Sequence, residues 1–461
     1  MALRSRFLGP LRSLSGPLTL YRAAVYGLVA LTAALALWNA YAVPGHLGYD
    51  SEQNVHYAHD LVHELQFGDP NDPGENSYKP PGFFFLAGSL MVVGEQTHLK
   101  DPRSVVQFTN ALLVVATLVL VLLLARTIWP ERRSLHVIAG AFFVFMPLTL
   151  KMAAMFHPGT LEMFLTALAL FLVARMLERR RFSWGTSFAL LVVVGASVSV
   201  AAAGLWTYGA VVAALLVAGL GRYARWRELA VPLGLLVGVA MLVTLPLYLG
   251  PNSQRGFPFL SGSVSNMHGG FFTHRPLAFY TDLGIPEVVT APVRSNYVNR
   301  LLPTAYTETW GDYFGIWAWT AETPPTARAT RELQQQSWIG ILPTLLGIAG
   351  WAVLALNALR RTVRRRLDQH TAILVPALAL TAIAWAGFLY YVSQFNSFDG
   401  DTLKGSFMLS AVPAWSLTFA YAVDRVRRLP VIGTVIVFVL IASALLSLPF
   451  LTFHDPLWGL L

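Results

Sequence analysis

The runs TNALLVVATLVLVLLLA (109–125) and VIVFVLIASALLSLPF (435–450) contain no ionisable side chain. Each approaches the ~20 residues that a helix needs to cross a hydrocarbon core about 30 Å thick. Runs of this kind recur along the 461-residue chain, and they restrict the fold more than any other feature. A segment surrounded by lipid must satisfy its backbone hydrogen bonds internally, which leaves helices or closed barrels. Continuous apolar runs without alternation choose helices. The chain is 55% hydrophobic and 12% charged, against about 25% charged in soluble domains. The expected fold class is therefore an all-α polytopic membrane protein.

Positive charge gathers between these runs: Arg4, Arg6, Arg12 and Arg22; Arg126, Arg132 and Arg133; Arg179, Arg180 and Arg181; Arg222, Arg225 and Arg227; Arg360, Arg361, Arg364, Arg365 and Arg366; Arg425, Arg427 and Arg428. Such clusters mark cytoplasmic loops. The net charge of +9 is accordingly read as topology, and no nucleic-acid partner is expected. Two crossings fit between successive clusters, near 23–43 and 105–126, 135–154 and 160–178, 186–203 and 206–221, 229–249 and 338–358, and 371–393 and 406–423. With a last span near 431–451, this gives about eleven, amino terminus inside and carboxyl terminus outside. PPGFFFLAGSLMVVG (80–94) is left over, because a full span there would put the 126–133 cluster outside. It is expected as a short helix or hairpin at the outer interface; a true span with a local failure of the arginine rule is the alternative. Three regions result: a transmembrane module 1–249 with a first outer loop 44–104, a long extracytoplasmic loop 250–337, and C-terminal helices 338–461. The absence of cysteine excludes disulfides, thiolate metal sites and cysteine nucleophiles.

Chemistry concentrates on the expected outer face. Residues 51–66, SEQNVHYAHDLVHELQ, read as an amphipathic helix along the membrane surface, with Ser51 as N-cap and Val55, Ala58, Leu61, Val62 and Leu65 at helical spacing. His56, His59, Asp60, His63 and Glu64 fall on its polar faces. Three readings fit the acids at its start. Asp50 and Glu52 complement the helix dipole; or the i,i+4 pairs His56/Asp60 and His59/His63 hold a metal; or a carboxylate at headgroup depth is a general base for a hydroxyl or amine. Lys79, in NSYKPPGFFFLAG, either donates to a phosphate or snorkels to the interface. Lys151, His157 and Glu162 surround the outer end of the third and fourth spans, where Glu162 is a cap or a substrate contact. The aromatics of ETWGDYFGIWAW (308–319) read as an interfacial belt, or as a sugar-stacking surface with Glu308 and Asp312 binding hydroxyls.

Taken in order, these elements resemble the polyprenyl-phosphate-dependent membrane glycosyltransferases of the C-type (GT-C) fold. Within that group they resemble the dolichyl-phosphate-mannose protein mannosyltransferase family, which includes the bacterial aminoarabinose transferases. The resemblance rests on the outer Asp-x-Glu, NVHYA, YKPPGFFFLAG and HPGTLEMFLTALALF, and on the late LKGSFMLSAVPAWSLTFA. It covers 20–180 closely and 400–420 loosely. It implies catalytic carboxylates at Asp50 and Glu52, although the family's two acids are adjacent and Ser51 separates these. Glu162 matches the second-loop acid, His56 a histidine on the helix after the acidic motif, and Lys79 a group facing the donor phosphate. Lys404 carries the charge where the family has arginine-tyrosine and this chain has Ser406 and Phe407. His157 and Arg300 are further candidates for substrate binding, with Arg255 and Arg294 in the same long loop as Arg300. The implied reaction is inverting transfer of a sugar from a polyprenyl-phosphate donor to a hydroxyl or amine of a glycan, lipid or protein, at the extracytoplasmic face of the plasma (inner) membrane. No cofactor is required, and a divalent cation is optional.

A transporter or flippase is the competing class. It calls for ionisable residues within spans or broken helices at the midplane. In this chain most acids lie in loops and no internal repeat is evident, which favours chemistry at a membrane face.

Overall fold

The structure, a computed structural model, describes residues 20–48, 50–66, 79–248, 275–297, 299–311, 326–394 and 404–452. Its described secondary structure is helical, with no strand. The order is α1 (Leu20–Ala42), α2 (Ser51–His63), α3 (Gly82–Gln96), α4 (Arg103–Ile128), α5 (Arg133–Phe145), α6 (Pro147–Met152), α7 (Gly159–Arg179), α8 (Trp184–Val200) and α9 (Gly204–Leu220). Then come α10 (Trp226–Tyr248, with a π turn at Ala240–Thr244), α11 (Leu277–Thr281), α12 (Glu287–Thr290), α13 (Leu301–Trp310), α14 (Ala327–Val363), α15 (Gln369–Gln394), α16 (Val412–Val426, entered through a 3-10 turn Gly405–Ala411) and α17 (Pro430–Ser447).

Among the described residues, 8 helices are long and apolar enough to cross a membrane. The expected spans 135–154, 186–203 and 206–221 are instead occupied by shorter helices. Their sequences explain the breaks. Met146 precedes Pro147 and is extended, because a proline drives the residue before it out of the helical region; the expected span 135–154 thus divides into α5 and α6. Ala201, with φ −156 and ψ 157, ends α8. The 80–94 segment forms one helix, α3, packed against α2 and α4. α14 starts at Ala327 rather than 338, because Thr326 caps it by accepting from Ala329 N–H and Arg328 pairs with Glu332 one turn on.

The core sits where α4 packs on α1 and α7, α16 on α5 and α14, and α9 on α15. Small residues permit the closest approaches: a Cβ on Gly350 of α14 would lie 2.1 Å from the Thr418 carbonyl oxygen of α16. A second, smaller core lies under α2 and α3 and includes Tyr57, Leu61, Phe83, Phe84 and Phe156. The buried stripe of α2 is Ser51, Asn54, Tyr57, Ala58 and Leu61, rotated from the purely apolar stripe in the sequence. A partner helix, α3, covers that stripe, so Tyr57 and the polar Asn54 are admitted where they find partners. Ser51 is not the cap: it is the first helical residue, and its hydroxyl donates to Gly45 O.

The described arginines of these clusters gather at one end of the bundle. Arg133 lies over the Tyr21 ring and Arg180 over Tyr223. Arg132, Arg427 and Arg428 converge on Asp424. Trp129 packs near His370, Gln369 donates to Glu178 O, and Leu367 N–H donates to Gly221 O.

Candidate active site

The opposite end is organised around the turn 153–158, which joins α6 to α7. A buried turn needs partners for its backbone carbonyls. Here buried side-chain amides from two helices, α4 and α2, supply them: Gln107 donates to Ala154 O, Asn110 to Met155 O and Asn54 to Phe156 O, at 2.7, 2.8 and 3.0 Å. Asn39 does the same for Leu150 O, just upstream. Gly48, at φ +119, lets the chain leaving α1 pass close by; a Cβ there would meet Met155 Sδ at 2.6 Å.

Asp50 follows in the left-handed region, φ 56 and ψ 19. Aspartate visits this conformation more readily than most residues, yet strain of this kind gathers at working sites. Its carboxylate stands between two ammonium groups. Lys79 Nζ donates to Oδ2 at 2.8 Å, and Lys404 Nζ lies 3.2 and 3.3 Å from Oδ1 and Oδ2. The side chains of Asp50 and Lys79 are 20% and 17% exposed, open enough to be reached, while Lys404 is buried. Lys79 also donates to Asn54 Oδ1 at 3.1 Å, so one amide ties the lysine to the 153–158 turn. Burial alone would raise the Asp50 carboxyl, but Lys79 and Lys404 outweigh it and hold the group well below the ordinary carboxylate range.

His157 closes the cluster from the turn. Burial first, then Lys79 and Lys404, push its pKa from 6.5 to about 3, against the pull of Asp50. Its Nδ1 accepts from Gly159 N–H at 3.0 Å, so the neutral ring carries its proton on Nε2.

The remaining expected residues lie apart from this cluster. Glu162, in the first turn of α7, is buried in its own polar nest: Oε1 accepts from Ser197, Thr166 and, at 3.4 Å, Thr207, and Oε2 has no hydrogen-bond partner among the described residues. Glu52 is exposed. His56 pairs with Asp60 at 3.0 Å with 63% of its side chain exposed; His59 shares the same carboxylate and stacks on His63. Arg300 is neutralised by Asp282 and Glu287. Arg255, the Arg294 side chain and Asp312 lie outside the described residues. Glu308, by contrast, is buried beside the cluster, accepting from the N–H of Gly405, the residue after Lys404. Asn54 escaped the sequence reading because a lone asparagine among helical residues carries no signal without its spatial neighbours.

The donor chemistry does not fit a resident cation. Both Asp50 oxygens face lysine ammonium groups, and among the described residues no three histidine or acidic side chains converge as ligands.

No family model and no curated protein matches the sequence. Solved structures do match. The Archaeoglobus fulgidus oligosaccharyltransferase complex with Zn and sulfate is similar at TM-score 0.53 and 13% identity, over 93% of this chain and 53% of that one. The oligosaccharyltransferase AglB from the same organism, in complex with an inhibitory peptide and a dolichol-phosphate, gives 0.51 and 16%, over 93% and 55%. ArnT from Cupriavidus metallidurans bound to undecaprenyl phosphate gives 0.49 and 16%, over 92% and 73%. The chain thus spans about half the length of the archaeal proteins it matches. Its fold is that of the archaeal oligosaccharyltransferase, the GT-C fold of the membrane glycosyltransferases that the sequence resembles.

Proposed function

We propose that this chain is an inverting glycosyltransferase, moving a sugar from a polyprenyl-phosphate donor to a hydroxyl or amine at the extracytoplasmic membrane face. The observation that carries the reading is a partly accessible carboxylate held between two lysines, on this fold. Support also comes from the oligosaccharyltransferase of the same fold, which has been seen with a dolichol-phosphate.

In the resting arrangement Asp50 is too weak a base to be useful, because two ammonium groups stabilise its charge. A donor phosphate changes that. Its oxygens compete for Lys79 and Lys404, and as the lysines turn to the phosphate, Asp50 loses the stabilisation that depressed its pKa. Asp50 then takes the acceptor's proton while the acceptor heteroatom bonds to the anomeric carbon. The bond from that carbon to the phosphate oxygen breaks, and its electron pair leaves with the lipid phosphate. The two lysines stabilise the charge that develops there. Neutral His157 offers Nε2–H as a donor without adding a third positive charge.

The test is consumption of a polyprenyl-phosphate sugar by purified protein. Asp50→Asn keeps the shape and removes the base, and the rate is expected to fall about 100-fold or more. Full activity in that variant would remove Asp50 from the chemistry, and solute flux without sugar transfer would overturn the transferase reading.

A further inference from the structure

From the arginine-bearing end an apolar groove of about 580 Å³ runs between α1, α5, α14, α16 and α17. Phe142, Phe419, Pro343 and Leu440 are among its walls, Arg133 and Arg427 stand at one end, and Trp310 and Ser447 lie at the other. α17 stands off the bundle, with only Gly433 and Ser447 buried along its length, and this leaves the groove open along one side. An apolar gap of this size in a membrane protein fills with lipid chain, since an empty one forfeits the dispersion contacts of its walls.

Length and charge decide which lipid. The α5 wall runs from Arg133 to Phe145, which at 1.5 Å per residue is about 18 Å, close to one leaflet of a ~30 Å core. At the arginine end, among the described residues Asp424 is the one carboxylate that pairs with Arg132, Arg427 and Arg428, so the cluster keeps a positive excess. Arg133 has no carboxylate partner among the described residues and lies 5.6 Å from the Tyr21 ring centroid. A second cavity, of about 410 Å³ and lined by Arg427, Arg428, Gly433, Thr434 and Val437, adjoins the groove there.

We propose that the groove binds an anionic phospholipid of the leaflet on the arginine side, its phosphate at Arg133, Arg427 and Arg428 and one acyl chain along Phe142 and Phe419. Basic pockets between helices on the cytoplasmic side suit such headgroups. The site is independent of the transferase reading, because none of its residues belongs to the Asp50 cluster.

The full-length protein in detergent is titrated with dioleoyl phosphatidylglycerol and, separately, dioleoyl phosphatidylcholine, and bound lipid is counted by native mass spectrometry. One phosphatidylglycerol is expected to bind at least tenfold more tightly than phosphatidylcholine. The double variant Arg133→Gln/Arg428→Gln, which leaves the Arg427–Asp424 pair in place, should abolish that preference. Ala444→Phe, on the peripheral α17, should weaken both lipids by filling the groove; an unchanged thermal transition shows that either variant is folded. Equal binding of the two lipids by the native protein would overturn the proposal. So would one-for-one displacement of phosphatidylglycerol by polyprenyl phosphate, which would assign the groove to the donor's tail.

Discussion

Asp50, Lys79 and Lys404 form a unit, so their substitutions are expected to be non-additive. Lys404→Met and Lys79→Met each remove one of the two cations offered to the proposed donor phosphate, and kcat/KM should fall by about 10- to 1000-fold. The double variant should lose less than the product of the two, which a double-mutant cycle measures. His157 gives a pH prediction with a definite sign. Its folded value of about 3 lies below its ordinary 6.5, so the unfolded chain takes up a proton that the folded one refuses. Stability should therefore fall as pH drops from 6.5 toward 3, by up to about 1.4 kcal/mol per pH unit from this group. His157→Asn keeps an acceptor for Gly159 N–H and should flatten that slope in thermal melts between pH 7 and 4.5. The Asp50 clamp acts with the same sign at lower pH: its depressed carboxyl contributes stability that is full above the ordinary carboxylate range and is lost progressively as pH falls through and below that range.

At the scale of helices, the position of Lys79 relative to Asp50 depends on how α3 packs on α2. A Cβ at Gly88 would sit 2.3 Å from Ala58 O, so Gly88→Ala must push the two helices apart. A loss of about 1–3 kcal/mol is expected, with a fall in turnover, because Asp50 precedes α2 and Lys79 precedes α3. Gly347→Ala is the control: open space surrounds that position, and helix propensity alone predicts a neutral or slightly stabilising change. Thermal unfolding of both variants in one detergent separates packing from propensity. The amides that hold the 153–158 turn act on the same scale. Gln107 donates to both Val43 O and Ala154 O, and Gln107→Leu would strand two buried carbonyls, at a cost of about 1–3 kcal/mol each.

For the molecule as a whole, the gathering of the described arginines at one end predicts the orientation. The chain has no cysteine, so single cysteines report on it directly. Glu52→Cys should react with a membrane-impermeant maleimide added outside intact cells, and Arg361→Cys only after permeabilisation; the reverse pattern would put the Asp50 site in the cytoplasm.

The sequence by itself determined the helical membrane class, the partition of arginines to one face and the candidacy of Asp50, Lys79, His157 and Lys404. Each follows from properties carried along the chain: apolar length against bilayer thickness, charge against loop position, and acids or lysines at the ends of apolar segments. It also named Glu52, His56 and Arg300, which the structure leaves exposed or paired with other carboxylates, because spacing places a residue on an element but not against a neighbour. Only the tertiary structure decided that Lys404, 354 positions away, shares the Asp50 carboxylate with Lys79, and that Glu162 lies in a separate nest. Those outcomes depend on a glycine-permitted close approach at Gly48, a left-handed Asp50 and buried amides holding a turn, which are contacts between distant segments that no local pattern encodes.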